Sequence, residues 1–356
     1  MKRKPSILLL LIAFLSFVSA ASAQTASTAL ANLPEADMLI YLSPQRILND
    51  ALPKVMPAKE LNEMQAAFAD LKRGVGVDPS TIEYVVLAVR FHKPAADLSF
   101  VAPDVMAVVG GDFSSESLLT LAQLSLQDKV QVEKHGTKTV AIMKVDEIAR
   151  EAEKNPLLKP FIEVGAVALT PNSLAIGNMR YINAAVAAAD GTGRLKPETL
   201  QSLMRDPNVL MAATGSPLGA FARSFGLLGT EATPRDSRCE SNFGNFYSAA
   251  VISGANVSLR GAMNADNPDT AKIITNLLSS LLKTDLAPIP DKTAQAILQS
   301  LKLTARDNEV MIEADFPLQM IADLVREQTK PKAEATPTSA PKKSSPRRPV
   351  QRKRRN

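Results

Sequence analysis

The order of apolar and polar positions divides the chain into four parts. Residues 1–23 open with Lys2, Arg3 and Lys4. A run of 12 residues, Ile7–Val18, follows and is apolar apart from Ser16; the small residues Ser19-Ala20-Ala21-Ser22-Ala23 close the segment. A basic start, a short apolar stretch and an A-x-A end are the pattern of a cleaved secretory signal peptide. A membrane-spanning helix needs about 20 apolar residues. The sequence therefore predicts cleavage after Ala23, a mature chain beginning at Gln24, and export to the periplasm or the exterior.

Beyond the leader, short β-rich runs alternate with amphipathic stretches. Asp37–Leu42, Glu83–Phe91 and Asp104–Gly110 read as strands. Leu61, Met64, Phe68, Leu71 and Val75 recur at spacings of three and four and predict a helix from Ala58. Ser114 or Ser115 caps a helix to Leu126, with Leu118, Leu119, Ala122 and Leu124 inward. Two hairpins are expected next, Lys129–Lys134 with Thr137–Val145 and Phe161–Leu169 with Ser173–Gly177. A helix over Asp146–Lys154 lies between them, and one over Tyr181–Ala189 follows.

The remainder repeats this grammar. Val209–Thr214 is a strand, and Phe246–Ser253 with Asn256–Met263 a hairpin. Asn267–Leu286 is a helix with Ile273, Ile274, Leu277, Leu278, Leu281 and Leu282 on its inner face. Thr293–Gln299 is helical, Leu301–Arg306 with Glu309–Asp315 is a hairpin, and Pro317 opens a last helix. The pattern predicts an α+β fold with mostly antiparallel sheets and packed helices. Lys129–Ala152 aligns with Leu301–Leu324 at an offset of about 172, and Asp37 with Asn208 at 171. The expectation is two duplicated halves of β-β-α units, 24–195 and 196–329.

Charge sharpens the division. The whole chain carries a net charge of +5. Residues 24–329 hold 28 Lys and Arg against 35 Asp and Glu, whereas 330–356 hold 10 against Glu334 alone. That last segment, rich in Lys, Arg, Pro, Ser, Thr and Ala, lacks the apolar surface to offset chain entropy and reads as a disordered basic tail. Lys342, Lys343, Arg347, Arg348, Arg352, Lys353, Arg354 and Arg355 are its candidate tether to an anionic envelope surface. The alternative is a solubilising terminus. Aromatic residues are scarce, with no Trp, which argues against stacked single-strand nucleic-acid surfaces; no specific nucleic acid is expected.

Candidate chemistry is thin. The chain has one cysteine, Cys239, so an internal disulfide is excluded. His92 stands at a strand end and His135 at a hairpin turn, without metal-ligand spacing. Gly215-Ser216-Pro217 resembles a nucleophile elbow but has the wrong spacing, and Pro217 removes an N–H. Gly110-Gly111-Asp112 before a helix reads as a tight turn rather than an anion cradle. Glu313 and Asp315 share a strand face, but sequence cannot bring carboxylates from separate elements together. No catalytic residue, metal or cofactor is assigned.

The segment Leu33-Pro34-Glu35-Ala36-Asp37-Met38-Leu39-Ile40-Tyr41, with the β-β-α units behind it, resembles exported bacterial proteins of unknown function. The resemblance implies export and carries no activity or site. Three readings follow: a non-enzymatic envelope or secreted protein acting by interaction, a periplasmic carrier of an apolar ligand such as a lipid, and a hydrolase with a dispersed site. An apolar cavity would favour the second, and carboxylates converging in a cleft the third.

Overall fold

The computed structural model describes residues 29–75, 78–92, 102–126, 129–206, 208–216, 245–284 and 299–329. The leader, the tail, Cys239 and nearly all of the Thr293–Gln299 helix lie outside these residues.

Every β-rich run forms a strand, and the twelve strands among the described residues join one antiparallel sheet. In chain order they are β1 Met38–Leu42, β2 Ile82–Arg90, β3 Asp104–Gly111, β4 Val130–His135, β5 Lys138–Lys144, β6 Glu163–Thr170, β7 Ser173–Asn178, β8 Val209–Gly215, β9 Phe246–Ser253, β10 Asn256–Asn264, β11 Lys302–Arg306 and β12 Glu309–Pro317. Their spatial order is β11-β12-β10-β9-β8-β1-β2-β3-β7-β6-β5-β4. The fold is α+β.

The two expected halves meet at β1 and β8, where Leu39 lies opposite Thr214 and Tyr41 opposite Ala212. From that seam the order outward is β1-β2-β3 on one side and β8-β9-β10 on the other. Beside β3 lies the β7–β6 hairpin, and beside β10 the β12–β11 hairpin. The place of β11–β12 therefore corresponds to β6–β7 rather than to β4–β5, the pair that the 172-residue offset aligns. The β4–β5 hairpin extends the first side at its far end.

Helices cover both faces. They are α1 Pro44–Arg46, α2 Leu52–Val55, α3 Ala58–Val75, α4 Ser115–Leu126, α5 Asp146–Ala152, α6 Met179–Ala189, α7 Pro197–Leu203, α8 Pro268–Thr284 and α9 Leu318–Thr329, with a π-helical turn, Ile47–Ala51, joining α1 to α2. On one face α6 buries Tyr181, Ile182, Ala185 and Val186 against Tyr84, Val86, Met106, Val108, Val140 and Val167. Leu203 of α7 joins this core beside Leu39, Tyr41 and Ala212, so it spans the seam. The other face carries smaller clusters: Phe68 of α3 on Val85 and Val109, Leu119 of α4 on Ala141 and Leu174, Ala271 of α8 on Val310, and Leu318 and Ala322 of α9 on Val257, Ala314 and Phe316.

Two expectations about inner faces need correction. Along α8, Ile274 and Leu278 pack on the sheet, but Ile273 and Leu277 are 66% and 60% exposed. The small Ala271 lets the helix sit on an Ala271–Ile274–Thr275–Leu278 stripe, the i, i+3, i+4, i+7 spacing of one helical face. In α4, Leu124 lies five residues after buried Leu119 and is 69% exposed. The α3 stripe of Leu61, Met64, Phe68 and Leu71 is only half-buried.

Candidate functional site

The most heavily charged buried place is built at the ends of β2, β3 and β7. Antiparallel register sets Arg90 opposite Asp104, and both side chains fall on the α6 face by the alternation of strand residues. Asp104 has no solvent exposure. Arg90 Nη2 donates to its Oδ2 at 2.9 Å, and His92 Nε2 lies 2.6 Å from the same oxygen. Asn178 Nδ2 donates to Oδ1 at 3.0 Å, and Arg180 Nε stands 3.7 Å from it. A buried carboxylate persists only when opposite charge and hydrogen bonds replace its water; here two arginines, a histidine and an amide do so.

Asn178 also caps α6, its Oδ1 accepting from Tyr181 N at 3.3 Å. The capped first turn brings Tyr181 beneath Arg90, whose guanidinium lies 4.9 Å from the ring centroid. The Tyr181 hydroxyl donates to the Glu35 carbonyl at 3.0 Å. Burial pushes its phenol pKa above the ordinary range, so it acts there as a donor. Arg90 Nε is buried without a hydrogen-bond partner among the described residues.

Two open clefts flank this hub. The first, 350 Å³, is lined by Glu35, Asp37, Arg90, Lys196, Thr199, Ser216 and Asn245 among others. The second, 360 Å³, is lined by Lys159, Glu163, Asn178, Met179 and Arg180 together with Pro160 and Ile162. Asp104 therefore holds Arg90 at one cleft and Asn178 and Arg180 at the other. The first cleft sits at the seam, where Asp37 Oδ2 accepts from Phe91 N at 2.7 Å. Both offer charge of both signs to a polar ligand.

A related arrangement occurs in the second half. Tyr247 donates its hydroxyl to Asp206 at 2.6 Å, Arg260 Nη1 meets Asp206 at 3.0 Å, and Arg205 covers the Tyr247 ring at 5.6 Å.

The remaining sequence candidates fall elsewhere. The eight tether residues lie outside the described residues. His92, read from sequence as lacking a carboxylate at useful spacing, gains Asp104 through sheet pairing. His135 lies 3.1 Å from Glu133 at an exposed edge. The amides of Gly111, Asp112 and Ser115 donate to the carbonyls of Asn172, Thr81 and Pro171, which leaves them engaged in the turn. Ser216 N donates to the Asp37 carbonyl at 2.8 Å, extending the seam. Glu313 and Asp315 share an exposed face of β12, where Asp315 accepts from Ser258. Among the described residues no three His, Cys, Asp or Glu side chains gather where a metal ion could sit.

Sequence reasoning missed the grouping of Arg90, His92, Asp104, Asn178, Arg180 and Tyr181. Its available signal was a charged residue at the end of the inward row of each of two strands, Arg90 after Tyr84, Val86 and Ala88 in β2 and Asp104 before Met106 and Val108 in β3.

The architecture is that of an antiparallel α+β protein with polar clefts at its strand ends. No family model and no curated protein sequence matches the chain. Among solved structures it is similar to TP0453 in three crystal forms. Form III is 11% identical, covers 84% of this chain and 97% of that chain, and gives a TM-score of 0.43. Form IV gives 10%, 86%, 99% and 0.43, and form I gives 12%, 84%, 96% and 0.40. So loose a likeness transfers no function.

Proposed function

We propose that this chain is an exported, non-enzymatic protein that works by interaction, held at an anionic envelope surface by its basic C-terminal tail. The observation that carries the reading is charge segregation: 10 Lys and Arg against one Glu in residues 330–356, behind a body with 28 cations against 35 anions. Close to an anionic membrane each such cation contributes about 1 kcal/mol, so the tail would hold a body that the same surface repels. The body itself is read as two halves of one duplicated unit, since β1-β2-β3 and β8-β9-β10 run outward from the seam in the same order.

The clefts favour this reading over a carrier of an apolar ligand, because both are open and lined by charged side chains. A hydrolase has one observation on its side, the His92–Asp104 pair, since a carboxylate orients an imidazole base in acid–base catalysis. Asp104 is also held by Arg90 and Asn178, the saturation expected of a structural carboxylate.

The test compares the mature chain with one ending at Thr329, each sedimented with vesicles of anionic phospholipid at low and at high salt. Binding of the longer chain alone, and its loss in high salt, is the expected result. Equal sedimentation of both chains would remove the tether. Mass spectrometry of the native protein, with Gln24 as first residue, checks export.

A further inference from the structure

Among the described residues the sheet ends at β4 on one side and β11 on the other, and the two edges are finished differently. In β4 the residues Gln131, Val132, Glu133 and Lys134 are all exposed, Val132 by 45%. A two-residue turn joins His135 to its partner Lys138, and such a turn closes with a hydrogen bond between its flanking residues. Hydrogen-bonded and non-hydrogen-bonded positions alternate along an antiparallel pair. Gln131, Glu133 and His135 therefore turn their main-chain groups toward β5, while Val130, Val132 and Lys134 turn theirs outward.

Val132 is opposite Ala141, which packs under α4, so its side chain is on the α4 face. Leu124 and Leu126, 69% and 38% exposed, end α4 a few residues before Val130. Three of the large exposed hydrophobic residues are thus Val132 on a strand edge left unpaired among the described residues and Leu124 and Leu126 in the last turn of the helix that precedes it. Native sheets normally blunt such edges with charge. At β11 that device is present: its two-residue turn leaves Leu303 and Ala305 outward, and the self-pairing that uses both sets Lys302 against Arg306 of the other copy.

We propose that β4 is a dimerisation edge whose occupant is β4 of a second copy of this chain, antiparallel and with Val132 opposite Val132. That register uses all three outward residues. Val132 exchanges hydrogen bonds with its own copy, and Val130 pairs with Lys134 on either side of the two-fold axis. On the α4 face it brings together the two exposed Val132 side chains. On the opposite face it sets Gln131 against Glu133, an amide against a carboxylate. Shifting the pairing toward Lys134 by one strand repeat would instead set Glu133 against Glu133.

Sedimentation velocity of the mature chain over a range of concentrations tests the proposal, which is independent of the tether. The expected result is a monomer–dimer equilibrium. Gln131→Glu, which adds a carboxylate against Glu133 of the other copy at both symmetric contacts, raises the dissociation constant about tenfold; Val132→Lys gives monomer. Circular dichroism and thermal melts establish that both variants are folded. In a Cys239→Ser background, oxidised Val132→Cys forms a disulfide-linked dimer, since facing Cα atoms of a hydrogen-bonded pair stand about 5.5 Å apart. A monomeric unmodified chain, a dimer indifferent to both substitutions, or cross-linking through Thr304→Cys on β11 instead of Val132→Cys would each overturn the proposal.

Discussion

Arg90 faces Asp104 across the β2–β3 pair and donates to it at 2.9 Å, with the carboxylate wholly buried and the guanidinium side chain 28% exposed. The contact joins a strand end that reaches the seam cleft to the capped turn of α6. Removing one member of a buried ion pair leaves the other without compensation and costs roughly 3–5 kcal/mol. Asp104→Ala is therefore expected to destabilise the fold by about 3 kcal/mol, because Arg90 and His92 keep partial access to water. Urea unfolding checks it; a loss below about 1 kcal/mol would mean that the cluster tolerates vacancy.

Tyr181→Phe removes the hydroxyl that donates to the Glu35 carbonyl and keeps the ring beneath Arg90. The expected cost is about 1 kcal/mol, the net worth of one buried hydrogen bond. A double-mutant cycle with Arg90→Met separates the ring contact from the hydroxyl contact, and additivity of the two changes would show that they act independently.

Gly215 ends β8 with φ +145°, and a Cβ there would stand 2.1 Å from the Asp37 carbonyl oxygen. Gly215→Ala must displace the β1–β8 pairing at the point where Ser216 N donates to that oxygen. A loss of roughly 2 kcal/mol is expected from backbone strain alone. Thermal unfolding measures it; an unchanged melting temperature would contradict the close approach.

Lys72 Nζ lies 2.5 Å from Asp78, and that hydrogen bond, with a second from Ser80, lowers the Asp78 pKa from 3.8 to about 2. A carboxyl whose pKa is lower folded than unfolded adds stability above its unfolded pKa and loses it as pH falls through the folded one. The contribution is present above pH 4 and fades toward pH 2. Solvent weakens it, since Lys72 is 60% exposed. Lys72→Ala should be less stable than the parent at pH 5, with the two converging at pH 2. Parallel stability curves across this window would remove the assignment.

Much of the architecture could be read along the chain because local rules and tertiary context agreed. Each hairpin is bounded by a turn that its own residues dictate, as Gly136 does for β4–β5 with φ +56°. Where periodicity misled, packing decided. Ile273 and Leu277 belong to the same apolar run as Ile274 and Leu278, and only the small Ala271 reveals which stripe approaches the sheet. The short helices α1 and α2, of three and four residues, carry too few turns for a periodic signal. The Asp104 hub was illegible for a different reason. Its members span residues 90–181, and the register that brings Arg90, Asp104 and Asn178 together follows from the order of β2, β3 and β7, which no local pattern states.

The β1–β8 seam also bears on how the molecule could be taken apart. Cutting the chain between α6 and β8 would uncover a full row of main-chain donors and acceptors on both Met38–Leu42 and Val209–Gly215, and would open the core that Leu203 shares with Leu39 and Ala212. Neither fragment would have a finished surface on that side. Each would present the template the other lacks, so co-expressed fragments should reassemble by complementation, while either one alone would seek any extended strand within reach.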